Sequence, residues 1–145
     1  MSVEQVARNL FSVMSDGKKV EAMLTADAMA SGGVLPQPMP AREAFKVTAS
    51  LFSAFPDIKF DVKEVMVNGN QATVKAIVSG TQTGTLNIDM PGIPSLPPTG
   101  KKVSAKDAYI VTVVGDKVSH FQVDSPADGG IPAMLAQLGV KIPAM

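Results

Sequence analysis

Asp107, Tyr109, His120, Gln122 and Asp124, side chains with acid, base or hydrogen-bonding chemistry, fall in matching strand phases within one stretch, Lys101 to Asp124. The stretch reads KKVSAKDAYIVTVVGDKVSHFQVD and contains the chain's only histidine and only tyrosine. A carboxylate against an apolar wall can take a proton from the carbon alpha to a carbonyl and return it to the developing oxygen, because burial or a second carboxylate lifts its pKa toward neutrality. Asp124 is the candidate proton carrier, and His120 is its candidate partner, histidine being the side chain most often used to pass protons in such sites. Asp107, Tyr109, Gln122 and, upstream, Gln82 are suited to binding a substrate carbonyl or hydroxyl. Each has a structural alternative. Asp124 can cap the Ser125-Pro126 turn, a lone strand histidine often serves only packing or the surface, and buried amides and phenols often only satisfy their own hydrogen bonds.

Two strands must hold these residues. Side chains alternate along a strand, so Asp107, Tyr109, Val111 and Val113 share a face of the first, and Val118, His120, Gln122 and Asp124 share a face of the second. A two-residue Gly115-Asp116 loop sets Val113 opposite Val118, Tyr109 opposite Gln122 and Asp107 opposite Asp124. Facing carboxylates would repel unless one is protonated or a cation intervenes; a bulge would keep them apart. The other face carries Ala108, Ile110, Phe121 and Val123, an apolar surface that helices or a second copy must cover, which predicts a homodimer built sheet to sheet.

Upstream, Val3, Val6, Ala7, Leu10 and Met14 repeat at three and four residues, and Ser2 with Gln5 fits a capping box, so a helix is expected over 3–14. Lys18 to Leu24 predicts a second short helical piece, and Thr25 to Leu35 a short strand or extended segment. Pro40 can open a third helix with Phe45, Thr48, Phe52 and Phe55 on one face, stopped by Pro56. Residues 57–67 and 71–83 alternate as strands. A strict Asn68-Gly69 turn between them would put Lys63 opposite Val74, so the pattern demands a three-residue loop or a bulge. Gly84 to Gly100 is too proline-rich for a hairpin turn and is expected to border a pocket mouth. A last short helix starts at Pro132, with Leu135 and Leu138 inward. The order predicts one α+β domain with a mostly antiparallel sheet.

Thirteen basic and thirteen acidic residues cancel, and aromatics make up only 5% of the chain, so neither a phosphate-tracking surface nor a base-stacking platform is expected. With no cysteine and one histidine, disulfides, thiolate nucleophiles and multi-histidine metal sites drop out. Glu4 interrupts the N-terminal apolar pattern, and no apolar run reaches the roughly 18 residues of a membrane span. These features predict a cytoplasmic protein without a nucleic-acid or membrane partner.

Phe55-Pro56-Asp57, Gly80-Thr81-Gln82-Thr83-Gly84, Gly92-Ile93-Pro94 with Pro98-Thr99-Gly100-Lys101, Asp107-Ala108-Tyr109 and Leu135-Ala136-Gln137-Leu138-Gly139 occur in this order. Together they resemble the SnoaL-like polyketide cyclases and their ester cyclase relatives in the nuclear transport factor 2-like superfamily, over roughly Val6 to Val140. The resemblance implies a cone-shaped curved sheet wrapped around N-terminal helices, as in cystatin-like folds, with a small-molecule pocket inside. It also implies that a carboxylate and a histidine move protons during aldol-type ring closure, with no metal or organic cofactor. Gln82 stands where the family's Gly-Thr-His-Thr-Gly motif carries histidine, and His120-Phe121 stands for its His-Trp. Which of Asp107 and Asp124 is the acid/base stays open.

Two functions fit. The first is a cofactor-independent cyclase or isomerase acting on a hydrophobic, polyketide-like carbonyl compound. The second is a non-catalytic module of the same fold that binds a lipophilic ligand or associates with itself.

Overall fold

The computed structural model describes residues 2–14, 16–32, 37–86, 95–126 and 129–139, with backbone alone at 47–52 and 131–132. Helix α1 (Val3–Ser12) starts where expected: Ser2 Oγ accepts the Gln5 N–H and the Gln5 side chain accepts the Ser2 N–H, a reciprocal cap. Then come α2 (Gly17–Ala22), β1 (Leu24–Gly32), β2 (Met39–Pro40), α3 (Ala41–Ala54), β3 (Lys59–Asn68), β4 (Gln71–Thr81), β5 (Lys102–Val114), β6 (Lys117–Val123) and α4 (Gly130–Gln137). Of the residues expected on one face of α3, the side chains of Thr48 and Phe52 lie outside those described, while Phe55 is fully buried. The Gly84–Gly100 excursion shows a Leu86–Leu96 bridge; Gly92-Ile93-Pro94 lies outside the described residues.

The strands form one curved, open sheet in the order β2-β1-β6-β5-β4-β3. All neighbours are antiparallel except β1 with β6, so the sheet is mostly antiparallel, as the sequence predicts. Both hairpins turn on two residues. Gly69-Asn70 joins Asn68 to Gln71 and Gly115-Asp116 joins Val114 to Lys117. Each loop begins with a glycine at positive φ, 64° and 62°, the position a type II′ hairpin reserves for glycine. The β3–β4 conflict is resolved by a bulge between Val62 and Glu64. It keeps Phe60, Val62 and Val65 against the core and turns Glu64 outward toward Lys75.

Two apolar clusters fill the concave side. In the first, α1 lays Val6, Ala7, Leu10 and Phe11 on Val74, Tyr109, Val111 and Phe121. In the second, Phe55, Leu86, Met134, Leu135 and Leu138 pack on Val78, Val103 and Ala105. The inward Leu135 and Leu138 agree with the expected terminal helix.

The outer face departs from expectation. Val118 pairs with Val113, but the register then shifts, and Phe121 meets Val111 while Val123 meets Tyr109. Phe121 and Val123 therefore belong to the interior, and the outer surface of β6 carries His120 and Gln122 beside Thr112 and Ile110. The apolar basis for a sheet-to-sheet homodimer becomes the half-buried Ile77, Ala108 and Ile110 together with the exposed Met66 and Met29, which the pairing sets on the same face.

Gly32 ends β1 at φ +82°, and a Cβ there would collide with the Val123 carbonyl. The absence of a side chain lets β1 lie flush against the end of β6. Gly32→Ala combines that collision with a left-handed backbone costing an L-residue ~1–2 kcal/mol, so urea unfolding should show a loss of at least this size.

Candidate functional site

The shift between Thr112 and Val113 decides which groups meet. Two β6 residues, Ser119 and His120, occupy the space that one would fill, and every later residue of β6 changes face. Asp124 no longer faces Asp107: its N–H donates to the Ala108 carbonyl, and its side chain is exposed. Ser125 takes the inward position. Its hydroxyl donates to Asp107 Oδ1 at 2.6 Å.

Asp107 is 6% exposed and sits at the seam between the two apolar clusters, with Ala105 and Val78 on one side and Tyr109 and Ala76 on the other. Oδ1 also accepts the Ala108 N–H at 2.9 Å, and Oδ2 accepts the Tyr109 hydroxyl at 3.0 Å. Removal from water pushes the Asp107 pKa up, against the opposing pull of donors from Ser125, Ala108 and Tyr109. Burial, and then the neighbouring carboxylate, pushes the Tyr109 phenol well above its ordinary value. Tyr109 is thus a fixed neutral donor. Its ring packs against both Phe11 at 4.8 Å and Phe121 at 5.4 Å between centroids, the two phenylalanines being 6.1 Å apart, and Phe45 lies 5.4 Å from Phe121. The result is a carboxylate held by three donors against an aromatic wall.

The other expected site residues do not join it. Gln82 shares the inward face of β4 but lies six residues beyond Ala76, the partner of Asp107, or about 20 Å along the strand. Fully buried, it serves the chain itself: Nε2 donates to the carbonyls of Gly84, Leu96 and Pro97, and Oε1 accepts the Thr99 hydroxyl at 2.6 Å. It ties the proline-rich excursion at its base. His120 faces outward, its Nε2 2.9 Å from Ser31 Oγ across the parallel β1–β6 pair. Gln122 lies on the same outer face, opposite Ile110. Of the six expected residues, only Asp107 and Tyr109 converge. Among the described residues no three His, Asp or Glu side chains gather as a metal-ligand set.

Ser125 is the member the strand pattern missed. The signal was present in KVSHFQV: Val118, Phe121 and Val123 can all face inward only if one residue between the first two is extruded. Asp57, in the Phe-Pro-Asp motif, accepts the Thr81 N–H at 2.7 Å. That motif fastens β3 to the end of β4.

No curated protein matches this sequence. The sequence profile of the SnoaL-like polyketide cyclases matches residues 15–122. The chain belongs to this family. The match includes Gln82, Asp107, Tyr109, His120 and Gln122, and stops before Asp124 and Ser125. Among solved structures, AclR of Streptomyces galilaeus, a candidate hydroxylase, superposes with a TM-score of 0.74 at 17% identity over 97% of this chain and 84% of its own. IdmH of Streptomyces antibioticus, a candidate polyketide cyclase, gives 0.70 at 20% identity over 97% and 100%. A protein of ketosteroid isomerase-like fold from Catenulispora acidiphila, bound to trimethylamine, gives 0.67 at 14% identity over 93% and 92%. At these identities the structural likeness is one of fold, the expected nuclear transport factor 2-like cone. No helix among the described residues is long and apolar enough to cross a membrane.

Because Asp107 holds its proton more tightly folded than unfolded, its contribution to stability is fully present below the unfolded value of about 3.9 and is lost as pH rises through the raised folded pKa. Asp57 and Asp61 are shifted down and act in the opposite sense, below about pH 4. Thermal melts from pH 4 upward should therefore show a declining component in the wild type that Asp107→Asn lacks. Parallel curves would mean that Asp107 is not perturbed.

Proposed function

We propose that this protein is a cofactor-independent acid/base catalyst of the cyclase or isomerase type, working in the cytoplasm on a small hydrophobic, polyketide-like carbonyl compound, with Asp107 as proton acceptor. The observation that carries this reading is the buried Asp107 carboxylate, hydrogen-bonded by Tyr109 and Ser125 on the apolar inner face of the sheet. A base of raised pKa in a water-poor setting is matched to taking a proton from the carbon beside a carbonyl. Tyr109, permanently protonated, keeps the ionised carboxylate in place. The family match supports a cyclase-type reaction. Asp124 and His120 lose that role in this reading, since neither shares a face with Asp107.

The test is deuterium exchange alpha to the carbonyl of a bicyclic ketone such as 2-tetralone, followed by NMR. Asp107→Asn should lower the enzymatic rate at least about 100-fold, while Asp124→Asn and His120→Ala keep it within about threefold. If Asp107→Asn exchanges as fast as wild type, or the wild type exchanges none of a panel of such ketones, the catalytic reading fails. A non-catalytic module that binds a lipophilic ligand then replaces it.

We also propose that two copies associate through the outer sheet face around Ile77, Ala108 and Ile110. Sedimentation at micromolar concentration should give twice the 15.1 kDa chain mass; a monomer would contradict the proposal.

A further inference from the structure

Both oxygens of Asp107 are already engaged, Oδ1 by the Ser125 hydroxyl and the Ala108 N–H and Oδ2 by the Tyr109 hydroxyl. Asp107 and Tyr109 are 6% and 5% exposed. A ligand therefore has no open route to the carboxylate itself. Ser125 is different: it is only half-buried, and its hydroxyl hydrogen is spent on Asp107, which leaves the lone pairs of Oγ to accept.

We infer that Ser125 is the group that touches the substrate and relays its proton to Asp107. In this step the proton leaving the substrate carbon, or a substrate hydroxyl, bonds to Ser125 Oγ while the Ser125 hydroxyl proton passes to Asp107 Oδ1. One bond to hydrogen breaks and one forms at Oγ, the electron pair stays on the substrate as an enolate or alkoxide, and the carboxylate becomes a carboxylic acid. Reversal returns the proton to a different substrate atom. The 2.6 Å separation of Oγ and Oδ1 is that of a charge-assisted O–H···O bond already set for transfer. The relay also accounts for a base that is buried and yet placed at the end of a strand. Ser125 brings the exchangeable proton to the accessible side, and the bulge in β6 is what turns it inward in place of Asp124. The inference rests on Asp107 being the base, as proposed above.

The experiment uses the full chain in wild-type, Ser125→Ala and Ser125→Thr forms, with two readouts. The first is the titration midpoint of Asp107, followed by carboxyl carbon-13 NMR. Loss of a donor to the ionised form should raise it by about one pH unit in Ser125→Ala, and the hydroxyl of Ser125→Thr should restore it. The second is exchange of 2-tetralone, expected to fall at least about 100-fold in Ser125→Ala and to recover in Ser125→Thr. An unchanged midpoint in Ser125→Ala overturns the contact, and a shifted midpoint with wild-type exchange overturns the relay. If Asp107→Asn abolishes exchange but Ser125→Ala does not, the relay alone fails. If Asp107→Asn exchanges normally, the underlying acid/base reading fails, whatever the titration shows.

Discussion

The register between β5 and β6 is the constraint on which the rest depends. One extra residue, accommodated where Ser119 and His120 follow Val118, changes the face of everything after it. Without it, His120, Gln122 and Asp124 would line the interior and Phe121 and Val123 would face water. With it, two large apolar side chains join the aromatic cluster around Phe11 and Tyr109. Burying Phe121 contributes roughly 1.5–3 kcal/mol, and the half-buried Val123 adds a smaller part. Exposing them while burying an aspartate, an amide and an imidazole would reverse that gain and add desolvation costs, so the bulged register wins by a wide margin.

Asp107 is the polar exception on an otherwise apolar surface. The flanking inward residues of β5, Val103, Ala105, Val111 and Val113, are all buried and aliphatic. An unpartnered carboxylate here would be strongly destabilising; the three donors from Tyr109, Ser125 and the Ala108 N–H make it tolerable. They come from two places, β5 itself and the segment that follows β6, so the polar cluster also fastens the outgoing chain to the sheet. Nearby, the packing of Gly129 against the Lys106 carbonyl leaves no room for a side chain, which brings the start of α4 down beside the same strand.

Much of this was legible in the sequence. The capping box at Ser2 and Gln5, the alternation of β4 and β5, the Gly115-Asp116 turn and the inward Leu135 and Leu138 all follow from local rules. So did the need for either a three-residue loop or a bulge between β3 and β4, because a strict turn would have set Lys63 opposite Val74; the structure takes the bulge. The site was half legible. Asp107 and Tyr109 share a face at a spacing of two, which no register error can undo. The partners across the hairpin were missed because a strict two-residue period was carried through β6 past a bulge whose extruded Ser119 has no distinctive chemistry. Gln82 shows a different limit. Alternation places it inward correctly, but its partners are carbonyls of a loop whose path no periodicity specifies.

The most direct test of the account is a crystal structure at a resolution that separates the two carboxyl oxygens of Asp107. The bulged register predicts Val123 opposite Tyr109, the Ser125 hydroxyl within hydrogen-bond distance of Asp107, and the Asp124 carboxylate in solvent. Asp124 facing Asp107 across an unbulged hairpin, with Ser125 turned outward, would contradict it.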